Sequence, residues 1–128
     1  MTDMGTFRTT MLIESSARRG EMRTVENALV DTGSEYTWVP AAVLDELEIR
    51  PELTQRFIVV DGRQLGRQLG IAIVHAAGAK VPDFVVFAEP GDMILLGARS
   101  LEGLNVCVDA QRKQFVPGGP VLAGVVAA

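Results

Sequence analysis

β-branched and apolar residues recur through TFRTTMLIE (6–14) and MRTVENALV (22–30), and the SSARRG between them contains Gly20, which can take the positive φ of a turn. The pattern predicts a β-hairpin. PAAVLDELEI (40–49) opens on a proline suited to a first helical turn and brings Val43, Leu44 and Leu47 onto one face, so a short helix is expected. RFIVVD (56–61), a polar GRQLGRQ containing two glycines, LGIAIVHAAG (69–78) and KVPDFVVFAE (80–89) read as a meander of strands. MILLG (93–97) is a short apolar run stopped by glycine, ARSLEGL (98–104) has helix-forming content, and NVCVDAQRKQFVP (105–117) predicts a last hairpin.

The two halves share a weak symmetry. ALVDTG followed by VLDEL resembles MILLG followed by SLEGL, an apolar strand end and then a short helix, as a duplicated unit would produce. Beyond residue 117 the chain changes character: GGPVLAGVVAA (118–128) starts flexibly and continues uncharged and apolar. Such a tail is either a frayed or packed terminus or a strand that pairs with another chain. The division that follows is one mostly β domain over 1–117 and an apolar C-terminal tail over 118–128, a possible dimer strand.

Composition narrows the function classes. With 128 residues, 48% hydrophobic and 22% charged, the chain suits one folded domain. The formal charge of −4 and pI near 4.9 give no basic footprint, which argues against nucleic acid, and Arg18 and Arg19 read as a solvated turn. Cys107 is the only cysteine, so an intrachain disulfide and a cysteine-rich metal site are both excluded. Its valine neighbours suggest a buried, inert thiol. His75, the single histidine, stands on the alternating IAIVH and is expected to be structural, so no metal or other cofactor is anticipated. No apolar run reaches a membrane span and the N-terminus lacks an apolar leader core, which makes the cytoplasm the default expectation.

The chemistry concentrates in LVDTGSEYTWVP (29–40). Asp31 follows Leu29 and Val30 into a partly apolar setting, Thr32 and Ser34 offer hydroxyls, and Gly33 lets a backbone N–H approach the acid. These are the parts needed to orient a carboxylate.

Asp31-Thr32-Gly33-Ser34 resembles the D-[TS]-G-[AST] signature of aspartic proteases, and the chain length resembles the single-domain, retropepsin-like branch, in its bacterial clan AA form. ILLGARSL (94–101) is similar to the family's second signature, and FIVVDGRQLGRQ (57–68) falls where the family carries its flap. The resemblance extends over most of residues 6–117. It implies a closed, barrel-like acid-protease fold with two short helices, acting as a C2 homodimer. Asp31 would be the catalytic acid and base, Thr32 would bond across the dimer axis, and Gly33 and Ser34 would orient the carboxylate. Leu95, Leu96 and Gly97 would buttress the site, while Val60, Asp61, Gly62 and Arg63 of the flap, with Trp38, would meet the substrate.

In this family two carboxylates share one proton and activate water between them. Only one Asp-Thr-Gly is present here, since Asp61 lacks the Thr-Gly setting and Asp92 lies before the buttress. A second Asp31 must then come from a second chain. The expected activity is aspartic endopeptidase action on a peptide or protein, with a mildly acidic optimum. The alternative is a protease-fold binding or dimerisation module that cleaves little, favoured by the charge in the flap. Trp38 fits core or interface packing as well as a substrate wall, and the sequence leaves the placement of Tyr36 open.

Overall fold

The computed structural model describes residues 7–124, so the ends of the expected domain and tail, 1–6 and 125–128, lie outside the described residues. Eleven elements follow one another: β1 (Phe7–Ser15), β2 (Met22–Asp31), β3 (Thr37–Pro40), α1 (Ala41–Glu46), β4 (Leu53–Ile58), β5 (Gln64–Ala76), β6 (Ala79–Ala88), β7 (Leu95–Gly97), α2 (Ala98–Gly103), β8 (Val106–Asp109) and β9 (Gln114–Pro117). The main sheet has the order β1-β2-β7-β3-β6-β5-β4, and a further β1–β5 pairing closes six of its strands into a barrel with β4 outside. A mostly β chain closed into a barrel with two short helices is the arrangement that the retropepsin-like resemblance implies.

Alternation fills the barrel. Met11 and Ile13 of β1, Ala28 and Val30 of β2, Val39 of β3, Ala72 and Val74 of β5 and Leu96 of β7 join one buried cluster with Leu44 and Leu47, while Leu12 of β1 and Leu29 of β2, between them, are only half-buried. The hairpin β8–β9 forms its own two-stranded sheet and packs on this cluster through Val106, Val108 and Phe115, with the Phe115 ring edge-on to Phe7 at 5.1 Å. Cys107 therefore faces away from the core and is exposed, correcting the expectation of a buried thiol.

The seam between β1 and β5 carries a buried acid. Glu14, 4% exposed, accepts from the Gly20 N–H at 2.7 Å and the Arg19 Nε at 3.2 Å, and lies 2.7 Å from the His75 Nε2. Hydrogen bonding to His75 first, and to Gly20 next, lowers its pKa from the usual 4.5 to about 2. His75 is thus structural, as its alternating strand suggests. Arg18 and Arg19 are not simply solvated: Arg18 pairs with Glu21 and Glu48, and Arg19 with Glu14.

A bulge in β2 decides which way the strand end faces. Thr9 pairs with Ala28 but Met11 with Val25, so Glu26 and Asn27 oppose a single residue of β1. Asn27 takes a φ of 61°, which asparagine tolerates better than most residues, and Arg8 donates to its carbonyl at 2.9 Å. Continued alternation from Val25 would turn 27, 29 and 31 inward. With one extra residue, Ala28 and Val30 are buried instead and Asp31 is half-exposed.

The strands on either side of the expected flap turn run longer than the sequence pattern suggests. β4 begins at Leu53, three residues before the anticipated strand, and GRQLGRQ is mostly strand rather than connection: Gly66 pairs with Arg56 inside the ladder and is not at a tip or hinge. The reversal lies at 59–63, where Gly62 has a φ of 88° and donates to the Val59 carbonyl at 2.8 Å. Residues 118–124 of the apolar tail carry no strand in the single chain, and Val121 and Leu122 are exposed.

Candidate active site

Asp31 ends β2 and the chain turns back on it at once. The Asp31 Oδ1 accepts from the Gly33 N–H at 2.9 Å and Oδ2 from the Ser34 hydroxyl at 3.2 Å, while the Ser34 N–H closes the turn on the Asp31 carbonyl at 3.2 Å. A Cβ on residue 33 would stand 3.2 Å from Oδ1, so glycine is what permits this approach. Each oxygen accepts one of these hydrogen bonds and so retains further acceptor capacity. Thr32 and Gly33 are exposed beside the half-buried acid.

β7 threads between β2 and β3. It runs parallel to β2, pairing Leu95 with Leu29, Leu96 with Val30 and Gly97 with Asp31, and antiparallel to β3 at Trp38. Leu96 is fully buried and Leu95 nearly so, which gives the loop an apolar seat. Gly97 is required by closeness: a Cβ there would overlap the Tyr36 carbonyl and reach within 3.0 Å of the Ser34 carbonyl oxygen. The carbonyls of Ser34 and Glu35 accept from the Ala98 and Arg99 N–H groups at 2.7 and 3.0 Å, satisfying the first turn of α2. The turn at Asp31 and the start of α2 are therefore one hydrogen-bonded unit.

Beneath it lies a polar chain that sequence reasoning missed. The Gly97 N–H donates to the Thr37 Oγ1 at 3.0 Å, Thr37 and Ser100 hydroxyls meet at 2.6 Å, and Ser100 donates to the Asp83 Oδ2 at 2.9 Å. Thr37 and Ser100 are fully buried. The only hint available beforehand is a threonine at an inward position between Tyr36 and Val39.

The β4–β5 hairpin is tied to the same face by aromatic packing. The Phe57 ring on β4 lies 5.0 Å from Trp38 and 5.9 Å from Tyr36, and Arg99 stacks over Tyr36 at 5.1 Å. Trp38 thus packs, half-buried, between the site segment and the hairpin. At the tip, Arg63 donates through its backbone N–H and its Nε to the Asp61 carboxylate at 3.0 and 2.7 Å, and these bonds lower the Asp61 pKa. That self-contained pair leaves Val60, together with Ile58, fully or largely exposed at the end of the hairpin. Arg67 is not part of the tip charge: its guanidinium grips both oxygens of Asp92 at 2.7 and 2.9 Å. Behind the hairpin a cleft of about 360 Å³ is lined by Asp45, Thr54, Arg67, Phe87 and Glu89, away from Asp31.

Asp61 and Asp92 are thus each neutralised by an arginine, whereas the hydrogen bonds to Asp31 come from uncharged donors. No group of three or more His, Cys, Asp and Glu that could hold a metal occurs among the described residues. Nor does any helix among them have the length and apolarity to cross a membrane. No protein-family model and no curated protein matches the sequence. Among solved structures, the chain is similar to the solution structure of Simian Foamy Virus (mac) protease, with 23% sequence identity over 73% of this chain and 92% of that one and a TM-score of 0.47.

Proposed function

We propose that the chain is one protomer of an aspartic endopeptidase of the retropepsin-like, clan AA type. The observation that carries the reading is the half-exposed Asp31 carboxylate fixed by the Gly33 N–H and the Ser34 hydroxyl, with acceptor capacity to spare, at the end of a strand braced by β7. A lone ionised carboxylate cannot both take a proton from water and give one to a peptide oxygen. Two of them sharing a proton can, because carboxylates about 3 Å apart cannot both be ionised. A C2 dimer bringing Asp31 against its own copy supplies that pair. Water bound between them loses a proton to the ionised carboxylate and attacks the scissile carbonyl carbon. The carbonyl oxygen takes the proton of the other, and collapse with proton transfer to the nitrogen releases the amine. Thr32, exposed next to the acid, meets its own copy across the axis in this reading. The hairpin with Val60 at its tip covers an extended peptide, while Gly62 and the Asp61–Arg63 pair shape its turn.

Incubation of the full chain with a mixed peptide library between pH 4 and 7 tests this. Cleavage that is blocked by a statine-type inhibitor, lost in Asp31→Asn and dependent on dimer concentration is the expected result. Cleavage undiminished in Asp31→Asn, or absent from the wild-type dimer, refutes it. The ion pair at the tip favours a second reading, a binding module on the same scaffold. There, Asp31→Asn would keep its partner and no peptide would be cut.

A further inference from the structure

We infer that Asp83, Ser100 and Thr37 are positioning residues for Asp31, acting as a hydroxyl chain of fixed polarity that sets where Gly97 sits. This rests on the reading of Asp31 given above. An ionised carboxylate can only accept, so the Ser100 hydrogen is committed to the Asp83 Oδ2 at 2.9 Å. The 2.6 Å contact between the hydroxyls must then be filled by the Thr37 hydrogen. Thr37 Oγ1 is left with lone pairs only, which is what the Gly97 N–H needs at 3.0 Å. Each hydrogen has one possible direction, and burial of Thr37 and Ser100 excludes bulk water as a substitute.

The chain joins four elements. Asp83 is on β6, Ser100 on α2, Thr37 on β3 and Gly97 at the end of β7. Gly97 is the residue that pairs with Asp31. Asp83 is itself held, since its Oδ1 accepts from the Phe84 N–H at 2.8 Å and lies 4.0 Å from the Arg99 Nε. Arg99 also reaches Glu35 at 3.8 Å and covers Tyr36, both in the segment that follows the Asp31 turn. One carboxylate on β6 thereby fixes the segment around Asp31 through two routes. Asparagine at 83 would break the polarity: its amide could donate to Ser100, which could then donate to Thr37, leaving the Thr37 hydrogen without an acceptor.

Steady-state kinetics on a cleaved peptide, with urea unfolding of the same preparations, tests the inference. In folded dimer, Thr37→Val lowers kcat roughly 10- to 100-fold with KM changed less than about two-fold, Thr37→Ser restores most of it, and Asp83→Asn falls between. A folded Thr37→Val dimer with wild-type kcat, or a loss confined to KM, overturns it. Should Thr37→Val fail to fold, Ser100→Ala takes its place. The Gly33 and Gly97 amide resonances give a readout independent of cleavage. They shift in Ser100→Ala and Asp83→Asn if the chain reaches Asp31, and an unmoved Gly33 resonance overturns the inference. Loss of cleavage in Asp31→Asn, run alongside, reports on the peptidase reading separately.

Discussion

Gly97→Ala is the sharpest test of how the candidate site is braced. The backbone at 97, with φ of −96° and ψ of 175°, is open to alanine, so conformational preference is not the obstacle. Alanine would even restrict the unfolded chain, a gain of about 0.5 kcal/mol. The obstacle is space, because the new Cβ would lie 2.5 Å from the Tyr36 carbonyl carbon and 3.0 Å from the Ser34 oxygen. Ordinary contact is about 3.5 Å or more, and the neighbours are backbone, with no rotamer to yield. Relief requires about 1 Å of movement between β7 and the segment after Asp31. Overpacking of this kind costs about 3 kcal/mol, leaving about 2.5 kcal/mol after the unfolded-state gain. With an unfolding entropy of about 0.27 kcal/mol/K for a chain this size, the melting temperature falls by about 9 °C. The same 1 Å would lower the proposed peptidase activity about 100-fold. Urea and thermal unfolding at fixed protomer concentration measure the first effect, with Gly66→Ala as control. There a Cβ meets only the Thr54 methyl, at 3.9 Å. If Gly97→Ala lies within about 0.5 kcal/mol of that control, the account of the brace is wrong.

Two further outcomes follow from the ion pairs. Glu14 titrates near 2 when folded and near 4.5 when unfolded, so its contribution is complete above about pH 4.5 and disappears as pH falls through 2. Between pH 5 and 2.5 the urea midpoint of the wild type should drop more than that of Glu14→Gln; parallel curves would contradict the hydrogen-bonded seam. Asp92→Asn removes half of a bidentate pair whose side chains are 13% and 16% exposed, and should cost about 2 kcal/mol, the usual scale for hydrogen bonds to charged groups. A change below about 0.5 kcal/mol in urea unfolding would show that the pair is solvated in solution.

Legibility in the sequence followed the locality of the physics. Asp31-Thr32-Gly33-Ser34 is a turn whose hydrogen bonds stay within four residues, so its composition announced it. The first half of β5 was hidden because it stands mostly in solvent, where hydrophobic alternation is weak: Gln64, Gly66 and Gln68 are exposed. Cys107 was misread from its valine neighbours, although strict alternation in Val106-Cys107-Val108 already puts the thiol opposite whichever face the valines choose. Asp83 and Ser100 were invisible for a different reason. Seventeen positions separate them, and 63 separate Ser100 from Thr37, so only the threading of β7 brings them together.

The two-for-one mismatch around Asn27 makes the candidate nucleophile-activating acid a matter of counting. Lose the bulge at unchanged length and strict alternation from Val25 aims the carboxylate at the packed aliphatic interior and Val30 at the solvent, whereas shortening the strand by Glu26 or Asn27 restores regular pairing with Ala28 and Val30 still inward. The acid keeps its outward aim only while the number of residues and the presence of the bulge agree, so the fold protects it by arithmetic as much as by contact.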